Sequence, residues 1–315
     1  MRRLPRLTPS AYRKVTFVAA VLLAIIIVTG GAVRLSDSGL GCPQWPNCAE
    51  GSLAPKEASD ANAMIEFVNR VFTGLVSVAV IVAVLGSLLR RPRRRDLVWL
   101  SFGLVAGVAA QAVLGGLTVL FHLAPQFVMA HFLVSLVLLT NALVLHRRAG
   151  LPDAPSRPLV APVLVGLGRA LLAVAAAVVV TGTVLTGSGP HSGGAPEDEV
   201  ERFNLVIPEV ARVHGATVMA FLVLVLVTLA VLRRVRAPRN VQERLGVLLV
   251  AVVAQAGVGY AQYFNDIPAL LVGIHIAGAT VVWAAVVAFY LGLFAPAAAT
   301  PGVALRREVA AAGVH

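Results

Sequence analysis

The sequence predicts an all-α integral membrane protein with eight transmembrane helices, set as two tandem four-helix bundles related by a pseudo-twofold axis along the membrane normal. Composition, the spacing of charges and an internal repeat predict it. Of 315 residues, 58% are hydrophobic and 13% charged, against roughly 25% charged in an average soluble domain. Aromatic residues make up only 6%, so the apolar mass is Ala, Val and Leu, as in lipid-facing helices. The net charge of +11 does not point to nucleic acid, because the basic residues sit in short clusters between long apolar runs.

Counting from charge to charge locates the spans. Lys14 and Arg34 enclose residues 15–33, Arg70 and Arg90 enclose 71–89, and Asp96 and His122 enclose 97–121, each near the ~20 residues needed to cross hydrocarbon. The fourth span is 123–145, broken only by His131. Then come 170–190, 213–232, 245–265 and about 268–294, the last broken only by His275. Runs this long lack the alternation of a membrane barrel. The first span is longer than a signal-peptide core and is expected to stay as a helix.

Loop charges set the expected orientation. Twenty of the 26 Lys and Arg lie in five segments: Arg2, Arg3, Arg6, Arg13 and Lys14; Arg90, Arg91, Arg93, Arg94 and Arg95; Arg147, Arg148 and Arg157; Arg233, Arg234, Arg236, Arg239 and Arg244; Arg306 and Arg307. These are both tails and every second loop, so both termini are expected in the cytoplasm of a cell-membrane protein. The loops near 35–65, 122–126, 188–208 and 264–268 then face outward.

The chain also repeats. Gln111-Ala-Val-Leu-Gly-Gly, with His131 twenty residues after the glutamine, returns as Gln255-Ala-Gly-Val-Gly-Tyr with His275, an offset of 144. Val28-Thr-Gly-Gly returns as Val180-Thr-Gly-Thr, and Glu66 as Glu209. Four helices per half is an even number, so both halves share one orientation. The expected division is 1–146, a Pro-containing linker at 147–165, and 166–315.

Polar residues within a span are functional candidates by default. His131, His214 and His275 each lie within about two turns of the outer end of a helix. Imidazoles at one depth on facing helices are how a bundle holds haem iron, one nitrogen on each face; in the second half the pair is His214 and His275. Zinc would want a third or fourth ligand, and helix-to-helix hydrogen bonding is the bland alternative. His122 and His191 need no role, while His146 and His315 are expected as solvated surface groups. In the first half the partner of His131 is Asn69, a poor iron ligand, and an iron held by one histidine keeps a position open for oxygen chemistry. Glu66, Asn69 and Arg70 share one helix face, either as a pocket or as a plain Glu66–Arg70 ion pair. Cys42 and Cys48 read as a loop disulfide with a structural or a redox role.

The run Thr29-Gly-Gly-Ala-Val-Arg34-Leu-Ser-Asp-Ser-Gly39-Leu-Gly-Cys42-Pro-Gln-Trp-Pro-Asn-Cys48, then Ile65-Glu66-Phe-Val-Asn69-Arg70, then the two Gln-Ala segments with their histidines, resembles the haem A synthases from about residue 15 to 290. The resemblance implies oxidation of the C8 methyl of haem O to a formyl group by successive hydroxylations, for cytochrome oxidase assembly. It implies haem b held by His214 and His275, His131 as a ligand in the substrate half, Glu66 as the residue important for conversion, and a Cys42–Cys48 disulfide. Haem O synthase and a separate electron donor are the implied partners. Arg34 and Arg70 sit where guanidinium groups could hold haem propionates. Asn69 departs from the pattern, since many members carry histidine there, and His122 is the one substitute. The alternatives are a b-type cytochrome that only carries electrons and a haem transport or assembly scaffold.

Overall fold

Every expected span forms a helix. The computed structural model describes residues 6–297; Arg2, Arg3, Arg306, Arg307 and His315 lie outside the described residues. The helices are α1 (Pro9–Leu35), α2 (Ala61–Leu89), α3 (Arg95–Leu120), α4 (Pro125–Ala149), α5 (Pro162–Ser188), α6 (Ile207–Arg234), α7 (Arg239–Phe264) and α8 (Ala269–Gly292). All eight are long and apolar enough to cross a membrane, and the chain is a multi-pass membrane protein. Inside hydrocarbon, a helix satisfies its own backbone hydrogen bonds, which is why these runs are helical throughout.

Helix ends depart from the charge-counted limits where a cap overrides a charge. Helix α2 begins ten residues before the expected position 71, because the Asp60 side chain accepts a hydrogen bond from Ala63 N–H at 3.0 Å, the usual N-cap arrangement. Glu66, Asn69 and Arg70 therefore stand on its first three turns. The expected linker 147–165 is shorter too. Helix α4 runs to Ala149 and α5 starts at Pro162, where a missing N–H costs nothing. Inside the linker, β1 (Ser156–Pro158) pairs antiparallel with β2 (Phe294–Pro296) just after α8, a ribbon that the apolar pattern did not foreshadow.

Within the first half α1 and α3 each pack against α2 and α4; within the second, α5 and α7 each pack against α6 and α8. Helices α2 and α4 thus stand diagonally across one ring and α6 and α8 across the other, neither pair forming a packed interface. Each ring has its own apolar core, with Leu97, Leu104 and Leu139 in the first and Leu171, Phe221 and Phe289 in the second. The rings meet where α8 packs on α1 and α4, and α5 on α4.

Trp283 of α8 packs against both cores. Its indole N–H points at Thr140 Oγ1, 2.9 Å away, and lies 3.2 Å from Leu136 O on α4. Trp283→Phe keeps most of the apolar contact and removes the donor. Interhelical bonds of this kind contribute about 1 kcal/mol, so the variant should melt slightly earlier in detergent, as read by circular dichroism.

At the arginine-rich end, Arg94 is buried, pairs with Asp96 at 2.7 Å and donates to the carbonyls of Arg148 and Leu151. His146, expected in solvent, is half-buried between α1 and α4, with Nδ1 3.2 Å from Thr16 Oγ1. The Arg147–Arg148 pair that follows it suggested solvent, yet α4 still packs on α1 here, since Ala149 is buried in one core with Tyr12.

Candidate functional site

The loop between α1 and α2 is fastened to the head of α2. Cys42 and Cys48 form a disulfide, both sulfurs buried against Ala63 and Phe67. At Gly41 the loop backbone lies directly on α2: a Cβ there would be 2.4 Å from Asn62 O, a distance that only glycine avoids. The Cys42 N–H donates to Glu66 Oε2 at 2.8 Å. Arg70, one turn on, donates to Glu66 Oε1 through Nε at 3.0 Å and Nη2 at 2.5 Å. It also donates to the carbonyls of Cys42 and Asn47, both at 3.0 Å, and to Pro46 O at 3.3 Å.

The ion pair and the pocket are therefore one feature. Glu66 is 7% exposed, yet it lines a cavity of about 490 Å³ together with Trp45, Asn69, Arg70, Gln111 and His131. That volume falls within the roughly 300–1,000 Å³ of ligand pockets. The walls are apolar on the α1, α3 and α4 sides, with Leu23, Ile27, Val108, Phe132 and Leu138. Arg70 has its donors turned to Glu66 and the loop carbonyls, which counts against its expected propionate role; Arg34 also lines the cavity.

His131 projects from α4 across the ring from Asn69 of α2, both on the cavity wall. Its backbone carbonyl is gripped by Gln111 Nε2 of α3 at 3.1 Å, and its Nδ1 is buried without a hydrogen-bond partner. The second half repeats this bond: Gln255 Nε2 of α7 donates to His275 O at 2.8 Å, and His275 Nδ1 is likewise buried and unpartnered. Across that ring stands His214 of α6. His131, His214 and His275 are the sixth, seventh and sixth residues after the first of α4, α6 and α8, so each lies ~9 to 10.5 Å along its helix.

His214 is held differently. Thr181 Oγ1 is 3.1 Å from its Nδ1 and within 3.0 Å of the carbonyls of Ala177 and Val178 and of Thr217 Oγ1. Carbonyls only accept, so the single hydroxyl proton of Thr181 satisfies most of these contacts by leaving His214 Nδ1 as a donor to Oγ1. Nε2 then carries the lone pair, the form in which imidazole binds a metal. Beside it, a Cβ at Gly182 would come 3.0 Å from His214 Cε1, and one at Gly259 would come 3.2 Å from His275 Cε1. Glycine at these two levels makes room for the imidazole rings. At the matching Gly30, in the half where asparagine stands at the level of His214, a Cβ would meet nothing within 4 Å.

No group of three or more His, Cys, Asp or Glu side chains suited to a metal ion occurs among the described residues. Two imidazoles on diagonal helices, one oriented by Thr181 and the other with a buried, unpartnered Nδ1, with glycines beside both rings, fit the iron of a haem far better than a zinc ion that needs three or four protein ligands.

A family model described as COX15-CtaA, cytochrome oxidase assembly protein, matches residues 13–191. The chain belongs to this family. It is 36% identical to a heme A synthase of Lysinibacillus sphaericus over 42% of this chain and 44% of the relative. With a heme A synthase of Symbiobacterium thermophilum it shares 36% identity over 48% of this chain and 51% of the relative. A third, from Exiguobacterium sibiricum, is 31% identical over 39% of this chain and 41% of the relative. The chain thus spans about half the length of the curated relatives it matches.

In this COX15-CtaA chain the remaining candidates fall as follows. His122 is exposed in the turn between α3 and α4 and is not on the cavity wall, so it does not replace the missing histidine. His191 holds the α5–α6 loop: Nε2 lies 2.8 Å from Ile267 O, and its own carbonyl accepts from Arg34 Nε at 2.8 Å. Three residues of the site were not singled out from the sequence. Trp45 lies where a Cβ on Gly116 would be 2.9 Å from its ring, Thr181 orients His214, and Arg202 lines the cavity from the second half. Thr181 had a signal, as part of the repeated Val-Thr-Gly, and Trp45 lay within the quoted run between the two cysteines; Arg202 had none.

Proposed function

We propose that this chain is a haem A synthase, an oxidoreductase that converts the C8 methyl of haem O to the formyl group of haem A for cytochrome oxidase biogenesis. The observation that carries the reading is the contrast between the two diagonals, His214 with His275 in one ring and His131 with Asn69, beside a buried carboxylate, in the other. Two imidazoles saturate a haem iron and suit electron transfer, whereas one imidazole leaves a position open for reaction.

In this reading residues 1–146 form the substrate half and 166–315 the haem b half, related by a pseudo-twofold axis along the membrane normal. Both termini are cytoplasmic by the positive-inside rule, and the disulfide end faces outward. His214 and His275 would hold haem b, which supplies one-electron transfer. In the substrate half, His131 binds haem O and the apolar walls orient its ring. Glu66, on the wall of the same cavity and held by Cys42 N–H and Arg70, is the catalytic carboxylate in this reading, able to take up or return a proton. The disulfide and Arg70 keep water-accessible loop atoms packed over that carboxylate.

Purified full-length protein, made in cells with and without a haem O synthase, tests the reading by extraction and separation of its pigments. The expected result is haem b in both and haem A only where haem O is made. Colourless protein would instead favour a transporter or scaffold, and haem b with no haem A under either condition would favour a plain electron carrier.

A further inference from the structure

The cavity of the first half is not closed by the first half alone. Arg34, at the end of α1, donates through Nε to His191 O at 2.8 Å and through Nη2 to Thr186 O at 3.0 Å, both in the second half. The α5–α6 loop is pressed close to it: Gly39 N–H donates to Gly193 O at 2.7 Å, and Gly193 has φ +102° with Arg34 Cγ 3.0 Å from where its Cβ would lie. On the same loop, Arg202 donates through Nη1 to Gly189 O. Arg34 and Arg202 both line the cavity, as does Glu201, and their partners on the second half, Thr186 and Gly189, are three residues apart. Neither has a carboxylate partner among the described residues.

Two guanidinium groups on one cavity wall, each tied only through backbone carbonyls, carry positive charge that an anion in the cavity would offset. Guanidinium groups so placed are suited to carboxylates. The ligand assigned to this cavity is an apolar ring bearing two propionates on one edge, and the lining offers both Arg34 and Arg202 and apolar walls such as Leu23, Ile27 and Phe132. We propose that Arg34 and Arg202 form a two-guanidinium clamp for the carboxylates of the ligand in this cavity, so that the second half completes the substrate site of the first. The inference rests on the reading of the cavity as a haem O site. Arg70 is excluded from the clamp because Glu66 and the disulfide loop occupy its donors.

The test is a Soret absorbance titration of the full chain in lipid nanodiscs with haem O and with its dimethyl ester, which has the same ring and no negative charge. Native protein should bind haem O more tightly than the ester. Arg202→Gln should weaken haem O binding about 10-fold, the size of one lost charge-assisted bond, and leave ester binding as it was. Arg202→Lys should recover part of the loss. Equal binding of acid and ester by native protein overturns the clamp without recourse to any variant, and so does an Arg202→Gln protein that binds haem O normally or loses both ligands alike. Native protein that retains haem b but binds neither ligand overturns the haem O reading itself, and the clamp with it.

Discussion

Glu66→Gln is expected to keep the haem b absorbance of the native protein and to lose haem A formation by about 100-fold or more, the scale of a missing proton-transfer group. Glutamine matches glutamate in shape and can still accept from Cys42 N–H or from Arg70, so the head of α2 and the disulfide loop stay in register. What it cannot do is carry a charge or take up a proton. Arg70 loses its counter-ion but keeps three loop carbonyls. Its side chain is 24% exposed, so the stability cost should fall to about 1–2 kcal/mol rather than that of a fully buried broken pair. The measurement is pigment extraction from cells that supply haem O, with the haem b band as the control for folding. A normal yield of haem A from this variant would reject the role given to Glu66. Glu66→Asp retains the charge but draws the carboxylate back by one methylene, and should lie between the two.

The residues that were legible from sequence were those whose chemistry is local or repeated. Charge gaps located all eight helices because, without the alternation of a barrel, only a helix satisfies the backbone of such a run in hydrocarbon. The 144-residue offset reappears as two equivalent hydrogen bonds, Gln111 to His131 O and Gln255 to His275 O, since equal spacing on equal helices places equal atoms together. Boundaries were less legible. Arg70 ended the charge-counted span although α2 runs ten residues further, because a side chain neutralised by Glu66 and by carbonyls does not end a helix. The contacts of Arg34 with Thr186 and His191, and the approach of Arg202, join residues more than 150 positions apart. No period or motif encodes such a meeting; it follows from how the two rings dock. Trp45 was passed over for a related reason, since its place against Gly116 depends on how the disulfide loop folds back over α3.

Replacing His275 with alanine should remove haem b, with more than about a 10-fold drop in haem per protein, given that even losses around a metal ligand cost 10- to 100-fold. The structure makes this a fair test of ligation rather than of folding. Gln255 grips the backbone carbonyl of residue 275, not its ring, so the bond between α7 and α8 survives the substitution, and the imidazole nitrogen that is lost had no protein partner. His214→Ala should have the same spectroscopic effect while also freeing Thr181. His131→Ala provides the contrast: Gln111 likewise holds only the backbone there, and the second ring is untouched, so haem b should remain while haem O binding and haem A formation disappear. Absorbance spectra and pigment ratios of the three variants decide the matter. An unchanged spectrum in His275→Ala, or loss of haem b from His131→Ala as complete as from His275→Ala, would mean that the two rings do not divide the work as proposed. Equal glutamine clasps frame the two sites, so the proposed division between holding a haem and transforming one would rest on what faces the histidine across each ring, an imidazole in one and an amide beside a carboxylate in the other.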